Sequence, residues 1–127
     1  MNKEDLLILV NSLNIPKGEY YILGGGSLVI CGLKETTADL DLCVSNELFE
    51  ILKEKYNLSD KDKNECGFYR INDMIEIVPN SKSNFATMEV DGYYIEDLHK
   101  ILEFKKKRNL PKDTADISNI EAYLQNM

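Results

Sequence analysis

The chain has 127 residues, of which 43% are hydrophobic and 29% are charged, and its formal net charge is −7. These values are typical of one globular domain and argue against disorder. The acidic balance disfavours a polynucleotide as partner, because non-specific nucleic-acid binding depends on Lys and Arg side chains.

The first half of the chain alternates between helical and strand patterns. Apolar residues at helical spacing after Asn2, a suitable N-cap, predict an amphipathic helix that ends before Pro16. Ser45 is the predicted cap of a later helix, whose buried side consists of Leu48, Phe49, Ile51, Leu52 and Tyr56. The predicted strands cover 20–23 and 39–44, and the predicted helices cover 3–13, 27–31 and 45–56, with a glycine turn over 24–26.

The second half predicts two hairpins followed by two helices. Asn72-Asp73 accepts positive φ and predicts a tight turn between runs 68–71 and 74–78. Asp91-Gly92 is a stronger turn signal, between runs 87–90 and 93–95. The two helices are predicted from Glu96 or Asp97 to Arg108 and from Asp113, as a natural cap, to Gln125, with loops over 57–64 and 79–84.

This order of elements predicts one α/β or α+β domain over residues 1–127. Strands and helices alternate first, and two hairpins then precede the last helices, which suits a small mixed sheet flanked by helices. No repeat or linker divides the chain.

Two aspartates and a glycine run carry the strongest functional signal. If residues 39–44 form a strand, Asp39 and Asp41 face the same side, about 6.5 Å apart. Carboxylates that converge in this way repel each other unless a cation lies between them, and such oxygen ligands suit Mg²⁺. Gly24 to Gly26 allow backbone N–H groups to approach a phosphate closely. We therefore expect metal-assisted chemistry on a nucleotide.

Two common glycine motifs are excluded. A Walker loop requires G-K-S or G-K-T after four residues, and the chain has none. The dinucleotide fingerprint requires its third glycine where Val29 stands. Neither a P-loop nor a Rossmann cofactor site is therefore supported.

The residues in this segment resemble a known signature. Gly24-Gly25-Gly26-Ser27, Lys34, Thr37, Asp39 and Asp41 follow an apolar run in that order. The arrangement resembles the nucleotidyltransferase superfamily, which has a polymerase-beta-like fold, and especially its small prokaryotic members, the minimal nucleotidyltransferases. Lys34 stands where relatives often carry Arg. Lysine keeps the positive charge but cannot form the two-point hydrogen bonds of a guanidinium.

The resemblance extends towards the C-terminus and implies further site residues. Glu76, within Ile75-Glu76-Ile77, matches the third carboxylate, where many relatives carry Asp. Lys105, Arg108 and the run from Lys112 to Ile117 match the C-terminal helices of small members.

The implied activity is transfer of a nucleoside monophosphate from an NTP, with ATP as first choice, to an acceptor hydroxyl. Mg²⁺ or Mn²⁺ ions would be held by three catalytic carboxylates, one of which, Glu76 or Asp41, would act as the base or orient the acceptor. The metal ligands and catalytic residues implied are Asp39, Asp41 and Glu76. The nucleotide-binding residues implied are Gly24, Gly25, Gly26, Ser27, Lys34, Thr37 and Lys105.

Several alternatives remain open at this stage. The acceptor is a protein, a tRNA or a small molecule, and the partner is a second copy of the chain or a toxin. The competing function is a non-catalytic or weakly active nucleotidyltransferase-like domain of the antitoxin type. Ser27 can simply cap a helix, and Lys105 can simply complement a helix dipole.

The chain carries no signal for secretion or for a membrane. Its apolar stretches are far shorter than the roughly 20 residues that span a bilayer. Its first residues lack the features of a signal peptide. Cys31, Cys43 and Cys66 are widely spaced, which favours reduced thiols. We therefore expect a cytoplasmic protein that does not contact membranes.

Overall fold

The structure is a computed structural model, and it describes residues 1–79 and 87–126. Within these residues, helices pack on a mixed sheet, and the predicted α/β class is confirmed. The helices are α1 Lys3–Ser12, α2 Gly24–Ile30, α3 Asn46–Lys55, α4 Leu98–Arg108 and α5 Thr114–Gln125. The strands are β1 Tyr20–Ile22, β2 Leu40–Val44, β3 Tyr69–Arg70, β4 Ile75–Pro79, β5 Thr87–Val90 and β6 Tyr93–Glu96.

The six strands form one sheet in the order β3-β4-β2-β1-β6-β5. Strand β2 is parallel to β4, and β1 is parallel to β6. The remaining neighbours are antiparallel. Strands β4, β2 and β1 are therefore consecutive, with residues from distant parts of the chain side by side.

The main core lies on one face of this sheet. Leu40, Leu42 and Val44 of β2 are completely buried there, because alternate side chains of a strand point to the same face. Apolar residues of α1 and α3 pack against them. A second cluster joins α2 to α4 and α5 through Leu28, Leu98, Ile101 and Ile120. The opposite face of the sheet carries a smaller cluster around Tyr21, Leu23 and Cys43.

Several predicted local signals are confirmed. Asn2 and Asp5 form a capping box at the start of α1, and the Ser45 side chain accepts the backbone N–H of Leu48. Asp91 and Gly92 both have positive φ in the turn between β5 and β6. These residues fix the element boundaries locally.

Other expectations were wrong. The glycines do not form a separate turn before a helix, since α2 begins at Gly24 itself. Ile51, predicted to be buried, is 61% exposed because it faces away from the sheet side of α3. Asp113 makes no capping hydrogen bond to α5, because its carboxylate pairs with Arg108 and Lys105. A loop is predicted over 79–84, but its first residue, Pro79, is the last residue of β4. Residues 80–84 lie outside the described residues.

The first hairpin also differs from its prediction. Asn72 and Asp73 do not have positive φ. Instead the Asn72 side chain accepts the N–H groups of Met74 and Ile75, and this contact shapes a longer loop.

Across the described residues, no helix combines the length and the apolar character that crossing a bilayer requires.

Candidate active site

Asp41 and Glu76 are direct neighbours across the parallel pair β2 and β4. Leu40 and Leu42 flank Asp41 and are completely buried in the core, so Asp41 points to the opposite face. Glu76 likewise stands between two completely buried isoleucines of β4. Neighbouring strands lie about 4.8 Å apart, so the two carboxylate side chains leave the sheet side by side.

The protonation of Asp41 reflects this position. Its pKa is raised from 3.8 to about 6, first because burial removes water from the carboxylate. The negative charges of Glu76 and Asp39 raise the pKa further, while Arg70 lowers it. A carboxylate with two acidic neighbours and little water is a favourable place for a cation.

Asp39 lies just before β2 and is exposed. Its backbone carbonyl accepts a hydrogen bond from the Thr37 hydroxyl at 3.3 Å. This bond stabilises the segment of residues 37–39 before the strand. The negative charge of Asp39 contributes to the raised pKa of Asp41. In residues 1–79 and 87–126, however, no three His, Cys, Asp or Glu side chains are already gathered as a cation site.

Glu76 is held by two donors that the sequence patterns did not identify. An Arg70 guanidinium nitrogen lies 2.7 Å from Oε1, and the Asn64 amide nitrogen lies 3.0 Å from Oε2. Arg70 also donates to the carbonyl of Asp73 at 3.1 Å. Asn64 Oδ1 in turn accepts two backbone N–H groups of its own loop. Both oxygens of Glu76 therefore have protein partners.

The glycine segment begins beside the carboxylate pair. The backbone N–H of Leu23 donates to the carbonyl of Asp41 at 2.9 Å, which places the start of α2 next to β2. A Cβ on Gly25 would lie 2.8 Å from Thr37 Oγ1, so only glycine allows these segments to approach so closely. The geometry thus brings the glycines, Thr37 and the D-x-D segment together.

The first N–H of the glycine segment is already engaged. Gly24 donates to Glu96 Oε1 at 3.0 Å. Glu96 lies on the same sheet face as Asp41, because its neighbour Ile95 is completely buried in the core. Burial raises the pKa of Glu96, and the bond from Gly24 opposes this effect. The sequence pattern gives Glu96 only as one of two candidate first residues of the next helix, so it does not predict this contact with Gly24.

Ser27 occupies a structural position. It is completely buried, its hydroxyl donates to the carbonyl of Ile22 at 2.7 Å, and its oxygen accepts the N–H of Glu96 at 3.2 Å. These bonds connect α2 to β1 and β6. A phosphate contact would compete for the single hydroxyl proton that Ser27 donates to Ile22, and that contact remains a prediction.

Lys105 lies in a network of charges between α4 and α5. Its ammonium nitrogen is 3.3 Å from carboxylate oxygens of both Asp113 and Asp116, and the residue is only 9% exposed. Arg108 makes a two-point contact with Asp113 and lowers the pKa of that carboxyl to about 2. Lys34 approaches Asp116 at 3.5 Å. Lys34 and Lys105 thus share one carboxylate, although they are far apart in sequence.

The residues fit a divalent cation by donor type and by charge. Asp41 and Glu76 supply hard oxygen ligands on one face, and burial together with the neighbouring carboxylates raises the pKa of Asp41. Arg70 supplies the positive charge now beside Glu76. A cation that used Glu76 would have to share it with Arg70 or replace Arg70.

Comparisons with protein-family models, with curated proteins and with solved structures found no match for this chain.

Proposed function

We propose that this protein is a metal-dependent nucleotidyltransferase that transfers a nucleoside monophosphate from an NTP to an acceptor hydroxyl. The observation that carries the proposal is the Asp41–Glu76 pair. The two residues are in register on one face of the sheet, beside the start of helix α2. This is the juxtaposition that a triphosphate with its cation requires, because charge must be neutralised where phosphate oxygens meet carboxylates.

In the proposed reaction, the acceptor oxygen forms a bond to the α-phosphorus of the NTP. The bond from that phosphorus to the oxygen bridging to the β-phosphate breaks, and pyrophosphate leaves with the electron pair. The hydroxyl proton passes to a carboxylate. Asp41 is the better acceptor of that proton, since both oxygens of Glu76 are held by Arg70 and Asn64.

The remaining residues position the substrate. Asp39, Asp41 and Glu76 would hold Mg²⁺ or Mn²⁺, which supplies Lewis-acid polarisation and neutralises developing charge. Gly25 lets the start of α2 approach Thr37 closely. Burial raises the pKa of Glu96 beside Gly24, and the charge of Lys105 opposes this rise. Lys105 therefore adds positive charge near the start of α2.

A melting series tests the proposal without knowledge of the acceptor. The protein is heated with ATP, CTP, GTP or UTP, each with and without Mg²⁺ or Mn²⁺. A metal and nucleotide together should stabilise more than either alone, by about 2.7 kcal/mol at one hundred times the dissociation constant. Asp41→Asn should lose most of this shift.

Glu50→Gln is the matched control, because Glu50 is exposed on α3 and loses the same charge. It should keep the full shift. Absence of a metal-dependent shift with all four nucleotides would overturn the proposal, as would an equal loss in Glu50→Gln.

One observation favours a second candidate, a nucleotidyltransferase-like domain that acts as a non-catalytic, antitoxin-type partner. The groups expected to contact nucleotide or metal have internal partners: Gly24 with Glu96, Ser27 with Ile22, Glu76 with Arg70, and Lys105 with Asp113 and Asp116. A site satisfied in this way is stable without ligand. No metal-dependent melting shift, together with co-purification of a defined toxin, would favour this candidate.

A further inference from the structure

A polar cleft of about 450 Å³ borders the outer side of the candidate site. It lies between the loop that follows α3 and the hairpin of β3 and β4. Glu76, one of the two register-paired carboxylates, forms part of its wall. Its size falls in the range of small-molecule sites. The residues used below are Lys61, Lys63, Asn64, Phe68, Arg70 and Glu76.

The cleft and helix α2, which begins with the three glycines, lie on opposite sides of the Asp41–Glu76 pair. In the sheet order, β3 and β4 border the cleft, β2 follows, and β1 leads directly into α2. Arg70, Glu76, Asp41 and Leu23 therefore form one row across the sheet face. A group transfer needs two substrates that approach the same carboxylates from different sides. A nucleotide on the glycine side leaves the cleft to the acceptor.

The charges in the cleft indicate what kind of acceptor it suits. Within residues 1–79 and 87–126, neither Lys61 nor Lys63 forms an ion pair. Of the three acids in the lining, Glu76 is paired with Arg70, and the Asp62 carboxylate accepts the backbone N–H of Ser59 at 2.9 Å. The third, Asp73, forms no ion pair within the described residues and accepts the Arg70 guanidinium at its backbone carbonyl. Lys61 and Lys63 are therefore two cations of the lining that no carboxylate of the described residues pairs with, and Lys63 also lies over the Tyr69 ring at 5.9 Å.

Arg70 and Phe68 complete the site. Arg70 is half exposed, with 51% of its side chain accessible, and its guanidinium already binds a carboxylate. A guanidinium forms two-point contacts with phosphate as readily as with carboxylate. Phe68 is half-buried in the lining and offers an apolar surface to the body of a ligand.

We propose that this cleft binds the acceptor substrate, and that the acceptor carries a phosphate group near its reactive hydroxyl. Lys61, Lys63 and Arg70 bind the phosphate, and the hydroxyl lies towards Glu76 and Asp41. The inference rests on the proposed function for the identity of the reaction, but binding in the cleft is a separate property. A phosphorylated small molecule and the end of a polynucleotide share this chemistry.

The test is a titration followed by amide NMR, with three probes: inorganic phosphate, adenosine monophosphate and a short oligoribonucleotide. No metal or NTP is added. We expect at least the organic phosphates to shift resonances of residues 61–64 and 68–73. The variant Lys61→Ala/Lys63→Ala should weaken this binding by about tenfold or more, since hydrogen bonds to charged groups are lost.

The matched control is Lys53→Ala/Lys55→Ala. These lysines are exposed on α3 outside the cleft, and their loss changes the net charge equally. This control should bind the probes as the parent protein does. If both variants bind the probes equally weakly, the effect comes from net charge alone and the inference is overturned. The absence of resonance shifts in the cleft with all three probes would overturn it as well.

The source of the phosphate is decided by comparing the probes. Tighter binding of adenosine monophosphate identifies a small acceptor, and tighter binding of the oligoribonucleotide identifies a polynucleotide end. Failure of the two proposals is distinguishable. If metal and nucleotide shift the melting temperature but no probe binds in the cleft, only the acceptor site is refuted. If a probe binds in the cleft but metal and nucleotide cause no melting shift, the transferase proposal is refuted and an anion site remains.

Discussion

Asp41 is a carboxylate whose ionisation opposes folding. Its pKa in the folded protein is about 6, against 3.8 for an unperturbed aspartate, because of burial and of the charges on Glu76 and Asp39. A raised pKa means that the folded state binds this proton more tightly than the unfolded state does. The associated stability is complete below about pH 4 and is lost as the pH rises through about 6.

Asp41→Asn should therefore stabilise the metal-free protein at neutral pH. We expect a gain of about 1 to 2 kcal/mol in the free energy of unfolding at about pH 7.5, after allowance for partial solvation, and little difference at about pH 4. Urea unfolding at the two pH values measures it. Asp39→Asn is the control, since Asp39 is exposed, and its effect should be smaller. A destabilised Asp41→Asn at neutral pH would contradict this account.

The direction of Asp41 could be predicted from the sequence, because Leu40 and Leu42 alternate with it and must enter the core. The partners of Glu76 could not. Arg70 occurs six residues earlier, and Asn64 lies in a polar loop with no periodic pattern. Their contacts depend on how the loop folds back, which residue type alone does not determine.

At the scale of elements, the hairpin between β3 and β4 shows how one residue decides a site. A two-residue turn at Asn72-Asp73 would pair Arg70 with Ile75 and direct Arg70 to the core face. The structure pairs Arg70 with Glu76, because the loop also includes Met74. A shift of one residue exchanges the two faces of a strand. The hairpin was predictable from the sequence, and its register was not.

Two of the three glycines that begin helix α2, Gly25 and Gly26, have neighbouring side chains that leave little room for a Cβ. A Cβ on Gly26 would lie 2.7 Å from Ile22 Cγ2 and 3.4 Å from Leu6 Cδ1, both in the core. Gly26→Ala should therefore destabilise the protein by about 1 to 2 kcal/mol, although alanine favours helices.

Denaturant unfolding measures the effect of Gly26→Ala. Gly18→Ala is the control, because no heavy atom lies within 4 Å of the added carbon, and it should leave stability nearly unchanged. Equal stability of both variants would show that α2 can shift to admit a methyl group.

The junction of α4 and α5 depends on the carboxylate of Asp113. Arg108 and Lys105 hold its pKa at about 2, below the ordinary value of 3.8. A lowered pKa contributes stability above the ordinary value, and this contribution is lost as the pH falls through about 2. Asp113→Asn should lower Tm at neutral pH, and the difference from the parent protein should shrink towards about pH 3.

Thermal melts over this pH range test the effect. Glu121→Gln is the control, because Glu121 forms an exposed pair with Lys106 and should matter little. A pH-independent difference for Asp113→Asn would mean that the carboxylate charge is not the cause.

At the scale of the whole molecule, the strands of the sheet differ in how well their backbone amides are protected from exchange with solvent. Strands β1, β2 and β4 have neighbours on both sides, and β2 is almost completely buried on its core face. Strand β5 lies at an edge and alternates exposed with half-buried residues. Amide hydrogen exchange in β2 and β4 should therefore require global opening, while β5 exchanges faster through local opening. Mass spectrometry of peptides from each strand measures this order, and exchange in β2 as fast as in β5 would contradict it.

The overall class followed from the order of elements, because alternating helices and strands followed by hairpins suit a mixed sheet flanked by helices. The sheet order did not follow. It places β6 beside β1 and β4 beside β2, and these pairings arise from packing between segments that are distant in sequence.

The parallel pairing of β2 with β4 has a consequence for the time course of folding. Residues 45 to 74 lie between these strands, so a long segment must be closed before Asp41 meets Glu76. Contacts of such separation form slowly, whereas isolated helical turns form within about a microsecond. A refolding chain should regain its helical signal before the carboxylates become neighbours. Newly made protein would therefore bring Asp41 and Glu76 together only after its helices have formed.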